Sequence, residues 1–136
     1  MSGENILVVD DEPIIGTAFE RELEDKGCNV DSVLSGEEAL KTIRSKKYDI
    51  AFIDMVMPGM NGIEACKKLK ETSPDTILIF MTGRVDKDVI YKELDFQRAG
   101  GKVYFLYKPF LKDEIYEVIE MALAEKAKKE INLTIK

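Results

Sequence analysis

"NILVVDDEP", residues 5–13, decides how the rest of the chain is read. From Ile6 to Val9 the run is apolar without alternation, so it reads as a strand covered on both faces. It breaks off at three consecutive acids, Asp10, Asp11 and Glu12, after which Pro13 suits the first turn of a helix. Two like charges about 4 Å apart repel by roughly 4 kcal/mol at an effective dielectric of ~20. Acids crowded at the end of a buried strand therefore need a compensating cation, a shared proton or a chemical task.

Outward from this stretch, apolar runs alternate with segments of helical period. Pro13 to Gly27 reads as a helix with Ile14, Ala18 and Leu23 inward and Gly27 as its stop. "NVDSVL" (29–34) alternates and suits a sheet edge, and Ser35 with Glu38 forms a capping box opening a helix with Ala39, Leu40 and Ile43 inward. "DIAFI" (49–53) is a third strand, "MVMPGMNG" (55–62) a loop, and Ile63, Cys66 and Leu69 the inner face of the next helix, ending near Ser73-Pro74. "TILIFM" (76–81) and "KVYFLY" (102–107) are the fourth and fifth strands. Between them Val85 to Ala99 is expected to be helical, with Val89, Ile90 and Leu94 inward and Gly100-Gly101 as a stop. A last helix is expected from about Lys112 to Lys129, with Ile115, Val118, Ile119 and Ala122 inward, while "INLTIK" receives no assignment.

Five βα units with right-handed crossovers make a parallel sheet with helices on both faces. Ligands bind such sheets beyond the carboxyl ends of the strands, at the switch point between strands one and three. Asp10 and Asp11 end the first strand and Asp54 ends the third, so all three are expected in one crevice.

Composition narrows the function classes. At 136 residues, 45% hydrophobic and 34% charged, the chain suits one globular domain, with no linker or internal repeat. A net charge of -6 opposes a nucleic-acid footprint. No apolar run reaches membrane-spanning length and the start lacks a signal peptide's cationic and apolar regions, so a cytoplasmic protein is expected. Cys28 and Cys66 show no metal-binding spacing and read as small core residues. There is no histidine, which removes Ser-His and Cys-His nucleophile pairs and leaves any phosphohistidine to a partner.

An all-oxygen crevice with one or two acids in direct contact favours Mg²⁺. A carboxylate beside that ion can attack phosphorus, since the metal neutralises charge on the transferring group. Thr82 ends the fourth strand with a hydroxyl and Lys108 follows the fifth with an ammonium, so the two could clamp phosphoryl oxygens. Taken singly, Asp10 and Asp11 read as helix-capping acids, Thr82 as a turn former and Lys108 as a solvated charge. Four strand ends converging on one chemistry outweigh those separate readings.

Four pieces, "ILVVDDEP" (6–13), "DIAFIDMVMPGMNG" (49–62), "ILIFMTG" (77–83) and "FLYKPF" (105–110), together resemble the receiver domain of bacterial two-component response regulators, of the stand-alone chemotaxis type. The most specific element is D-x-x-M-P-x-x-x-G from Asp54 to Gly62, with Lys108-Pro109-Phe110 downstream. The resemblance covers residues 4 to about 124 and implies a flavodoxin-like (βα)5 fold with strand order 2-1-3-4-5. It gives a receiver over 1–124 and leaves 125–136 as the end of the last helix and a tail without an effector domain. It also implies that Asp54 accepts a phosphoryl group from a kinase or phosphotransfer protein's phosphohistidine. Asp11, Asp54 and the carbonyl of Val56 would hold Mg²⁺, with Asp10 acting mainly through water. Thr82 and Lys108 would engage the phosphoryl oxygens, Phe105 would be the switch aromatic, and the Lys108-Pro109 bond would be cis. The switch would be a two-state equilibrium read on the 85–99 helix, the fifth strand and the last helix, through which a dimer is possible.

Two departures from the family pattern bear on output. The Thr82–Lys108 stretch is several residues longer than usual, and Val56 and Arg84 occupy the variable positions flanking the phosphoryl group, where they would slow self-dephosphorylation. Output is expected through protein contacts, or the receiver belongs to a larger regulator. The enzyme alternative is a haloacid-dehalogenase-type phosphohydrolase, but "DDE" breaks the D-x-D spacing such an enzyme requires at its first strand. A nucleotide or flavin binder is disfavoured by the lack of a glycine-rich loop after the first strand. Turnover is therefore not expected beyond self-catalysed, Mg²⁺-dependent phosphoryl transfer to Asp54 and slow hydrolysis of the phosphorylated form.

Overall fold

The computed structural model describes residues 3–55, 57, 60, 62–82, 94–95, 97–98, 102–107, 110 and 113–135, with backbone alone at 80, 82, 102–107 and 129–135. Its strands are β1 (Asn5–Val9), β2 (Asn29–Val33), β3 (Ile50–Asp54), β4 (Ile77–Thr82) and β5 (Lys102–Tyr107). They pair in the order β2-β1-β3-β4-β5, every pair parallel. The helices are α1 (Pro13–Leu23), α2 (Gly36–Ser45), α3 (Gly62–Thr72) and α4 (Glu114–Ile135). Apart from 94, 95, 97 and 98, the helix expected over 85–99 lies outside the described residues.

Alternate residues of each central strand feed opposite cores. Leu7, Val9, Ala51, Ile53 and Leu78 pack with Ala39 and Ile43 of α2 and Cys66 and Leu69 of α3. Ile6, Val8, Ile50, Phe52 and Ile79 pack with Phe19 and Leu23 of α1 and with Ile115, Val118, Ile119 and Ala122 of α4. With helices on both faces, neither side of these strands needs to be polar, hence their continuous hydrophobicity. β2 at the edge is only partly covered, which matches its alternation.

Local chemistry sets the helix ends. Pro13 opens α1 without a side-chain cap, and a 3-10 turn over Glu24–Lys26 ends at Gly27, whose φ of 78° is left-handed. At α2 the Ser35 hydroxyl accepts the Glu38 N–H at 3.1 Å, while the Glu38 carboxylate reaches back to the N–H of Leu34 at 3.0 Å. The amide of Asp113 donates to the Glu22 carboxylate, tying the start of α4 to α1.

Three expectations need correction. Ile14 is 70% exposed, because Ile15 and Phe19 take the inward places expected of Ile14 and Ala18, while Leu23 is inward as expected. Phe19 sets that phase, meeting Phe52 and Phe110 edge-on with centroids 4.8 and 5.6 Å apart. Leu94, expected inward, is 46% exposed. The last helix, expected to end near Lys129, continues as α4 through Ile135 and takes in most of "INLTIK", which had no assignment.

Candidate functional site

β1 and β3 are neighbours in register, Val9 opposite Ile53, so Asp10 and Asp54 leave the sheet side by side. The amide of Asp10 donates to Val33 at 3.1 Å, holding it in line with the edge strand. Its Oδ1 accepts the N–H of Glu12 at 2.9 Å, a side-chain-to-backbone turn that redirects the chain into α1. Carboxylate oxygens of Asp10, Asp11, Glu12 and Asp54 all lie within 4.8 Å of one another. Asp10 and Asp54 are buried at 2% and 4% exposure, and Glu12 is exposed.

At these separations the charges repel by several kcal/mol, roughly 4 per pair at an effective dielectric of ~20. The donor set is all oxygen, carries up to four negative charges and has its most exposed member at the rim. These residues therefore fit a hard divalent cation, which would relieve that repulsion. Glu12 joins the group, although the sequence reading gave it no ligand role; its place in the Asp10-Asp11-Glu12 run was the available signal.

Met55 and Gly62 are packed tightly against the end of β3. A Cβ at Gly62 would lie 2.7 Å from the Asp54 carbonyl oxygen and 2.8 Å from the Cα of Met55, so only glycine lets α3 begin against the end of β3. The Met55 amide donates to the Met81 carbonyl at 3.2 Å, and Met55 and Met57 are buried in the α2–α3 core. From the other side, Glu37 Oε1 accepts the N–H of Met60 at 3.3 Å. The only trace of that contact in the sequence is an acid two residues past the capping serine.

The backbone of Thr82 ends β4 one residue past Met81, which is opposite Asp54. Phe105 lies on β5, at the far side of β4. Val56, Arg84, Lys108 and the Lys108-Pro109 bond lie outside the described residues, as do the side chains of Thr82 and Phe105.

Burial pushes the Cys66 thiol up to about 11 and also raises Cys28, where the charge of Glu4 adds to the effect; both therefore stay protonated near neutrality. A cavity of about 470 Å³ lined by Lys47, Tyr48, Asp49 and Thr76 opens at the amino ends of the strands, opposite the acids. Among the described residues no helix is long and apolar enough to cross a membrane.

The family model of the response regulator receiver domain matches residues 6–120. Transcriptional regulatory protein TcrA of Mycobacterium tuberculosis is 34% identical over 116 residues, covering 85% of this chain and 44% of that protein. Response regulator ArlR of Staphylococcus aureus is 30% identical over 126 residues, 93% of this chain and 55% of its own length. The chain thus spans about half the length of these curated relatives. A CheY-like response regulator receiver domain protein from Methanospirillum hungatei has the same fold, with a TM-score of 0.84 at 26% identity over 94% of this chain and 99% of that one.

Proposed function

The chain belongs to the response regulator receiver domain family, and from that premise we propose that Asp54 is the carboxylate that receives the phosphoryl group. The observation carrying this reading is the crevice itself: Asp54 is buried at the end of β3 among carboxylate oxygens of Asp10, Asp11 and Glu12, all within 4.8 Å. The donor is a phosphohistidine on a sensor kinase or phosphotransfer protein, since this chain has no histidine of its own. An Asp54 oxygen forms the new bond to phosphorus as the phosphorus–nitrogen bond of the partner breaks, and the imidazole leaves with the electron pair.

Mg²⁺ is the cofactor in this reading, and when bound it supplies charge neutralisation for the transferring group. Asp11, Asp54 and the carbonyl of Val56 would hold it, with Asp10 acting mainly through water. Thr82, at the end of β4, donates its hydroxyl to one phosphoryl oxygen and Lys108 pairs with another. Phosphorylation adds roughly -1.5 to -2 charges, enough to draw in both groups. Phe105 turns inward as Thr82 moves.

The segment between β4 and β5 contributes the fourth of five βα units. Together with β5 and α4 it forms the face on which the phosphorylated state is read, by a downstream protein or a second receiver. Val56 and Arg84 obstruct the hydrolytic water, so the phosphorylated form decays slowly. The chain is a switch and not a turnover enzyme, it acts in the cytoplasm, and it does not contact nucleic acid itself. Family membership leaves the phosphohydrolase alternative without support.

The test is labelling by acetyl phosphate with Mg²⁺. Wild-type protein takes up one phosphoryl group and Asp54→Ala takes up none. Undiminished labelling of the variant refutes the acceptor assignment.

A further inference from the structure

We infer that the first turn of α2 clamps the segment following Asp54, and that Glu37 is its positioning residue. The inference rests on the proposed function, which gives the carbonyl of Val56 to the metal.

Val56 lies in the chain between Met55 and Met57, whose side chains are 2% and 8% exposed in the core that includes Ala39 and Ile43 of α2. On one flank, α3 abuts the segment through Gly62, where a Cβ would overlap the backbone of Asp54 and Met55. On the other flank, α2 does the same. A Cβ at Gly36 would lie 2.9 Å from the Met60 sulfur and 3.2 Å from the Ala65 Cβ, and the neighbouring Glu37 carboxylate accepts the Met60 N–H at 3.3 Å.

The clamp has a firm anchor, because the α2 N-terminus is locked by the Ser35–Glu38 and Glu38–Leu34 hydrogen bonds. A hydrogen bond from an amide to a carboxylate is stronger than a neutral one. Backbone hydrogen bonding, from its own N–H first and from Met60 after it, holds the Glu37 carboxyl below its usual range, so it is ionised near neutrality. With residues 55, 57 and 60 held, the neutral ligand proposed at Val56 would need little reorganisation to meet the metal. Released at 60, the site keeps all its carboxylates but holds its neutral ligand loosely.

Outer-shell partners of metal ligands commonly change affinity by about 10–100-fold, and a single exposed hydrogen bond belongs near or below the low end, about 3–10-fold. The experiment compares the 136-residue wild type, Glu37→Ala and Glu37→Gln. It measures Mn²⁺ affinity by paramagnetic resonance, exchange of the Met60 amide by NMR, and acetyl phosphate labelling across metal concentrations.

Expected for Glu37→Ala are an affinity lower by about 3–10-fold, faster Met60 amide exchange, and labelling that recovers its wild-type rate at saturating metal. Glu37→Gln keeps an acceptor oxygen without the charge and falls between wild type and Glu37→Ala on affinity and amide exchange. Wild-type affinity and exchange in Glu37→Ala overturn the clamp while leaving the proposed function intact. Equal losses in both variants also overturn it, because only the field of the charge would then matter. A wild-type protein that neither binds the metal nor is labelled overturns the proposed function and the clamp with it.

Discussion

Tyr48 illustrates how a single side chain can tie together segments distant in sequence. Only 4% exposed, it donates its hydroxyl to Asp31 Oδ2 at 2.6 Å, while Lys46 reaches the same oxygen at 2.9 Å and lies over the Tyr48 ring. The edge strand β2 is thereby fastened to the segment entering β3. The Tyr48 hydrogen bond, and then that from Lys46, hold the Asp31 carboxyl below its usual range, while burial and then Asp31 push the Tyr48 phenol well above its own. A depressed carboxylate stabilises the fold fully above its unfolded pKa of about 3.9 and loses that contribution as pH falls through the lower folded value. Tyr48→Phe is therefore expected to cost about 1–2 kcal/mol in urea unfolding at pH 7. The gap from wild type should narrow below about pH 4, where Asp31 protonates in the unfolded state and then in the folded one. Nothing at residues 31 or 48 hints at this pairing from sequence alone, since the two meet only because β1 lies between β2 and β3.

Several helix termini were legible at the scale of elements because their chemistry is local, although the end of α4 was not. Ser35 with Glu38, Pro13 and Gly27 each act within a few residues of their own position. Removing the Ser35 hydroxyl in Ser35→Ala should cost about 1 kcal/mol in unfolding free energy, measured by thermal or urea melts. The rotational phase of α1 was less legible. Ile14 and Ile15 are equally apolar, and only the packing of Phe19 on Phe52 and Phe110 assigns Ile15 to the core. Gly62 shows the same limit, since its glycine requirement comes from the backbone of Asp54 and Met55 rather than from its own conformation. Gly62→Ala should cost about 1–3 kcal/mol by overpacking, and its displacement of the end of β3 should slow labelling of Asp54.

The whole molecule places negative charge where folding disfavours it, so metal and stability are linked. An ion bound at 100 times its dissociation constant stabilises the native state by about 2.7 kcal/mol. Mg²⁺ should raise the thermal midpoint of the wild type and leave that of Asp11→Ala nearly unmoved. With a chelator present, Asp54→Asn should melt above wild type, because removing one buried charge relieves the repulsion among the acids. By itself the sequence determined the alternation of strands and helices and the residues at which strands end, because hydrophobic period and turn chemistry act over a few neighbours. It therefore also determined that Asp10, Asp11 and Asp54 would gather at one edge of a parallel sheet. Only the tertiary structure decided that Glu12 joins them, that Phe19 brings Ile15 rather than Ile14 to the core, and that Glu37 holds the amide of Met60. Those features depend on strand register and on helices packed across the sheet, distances that no local pattern encodes.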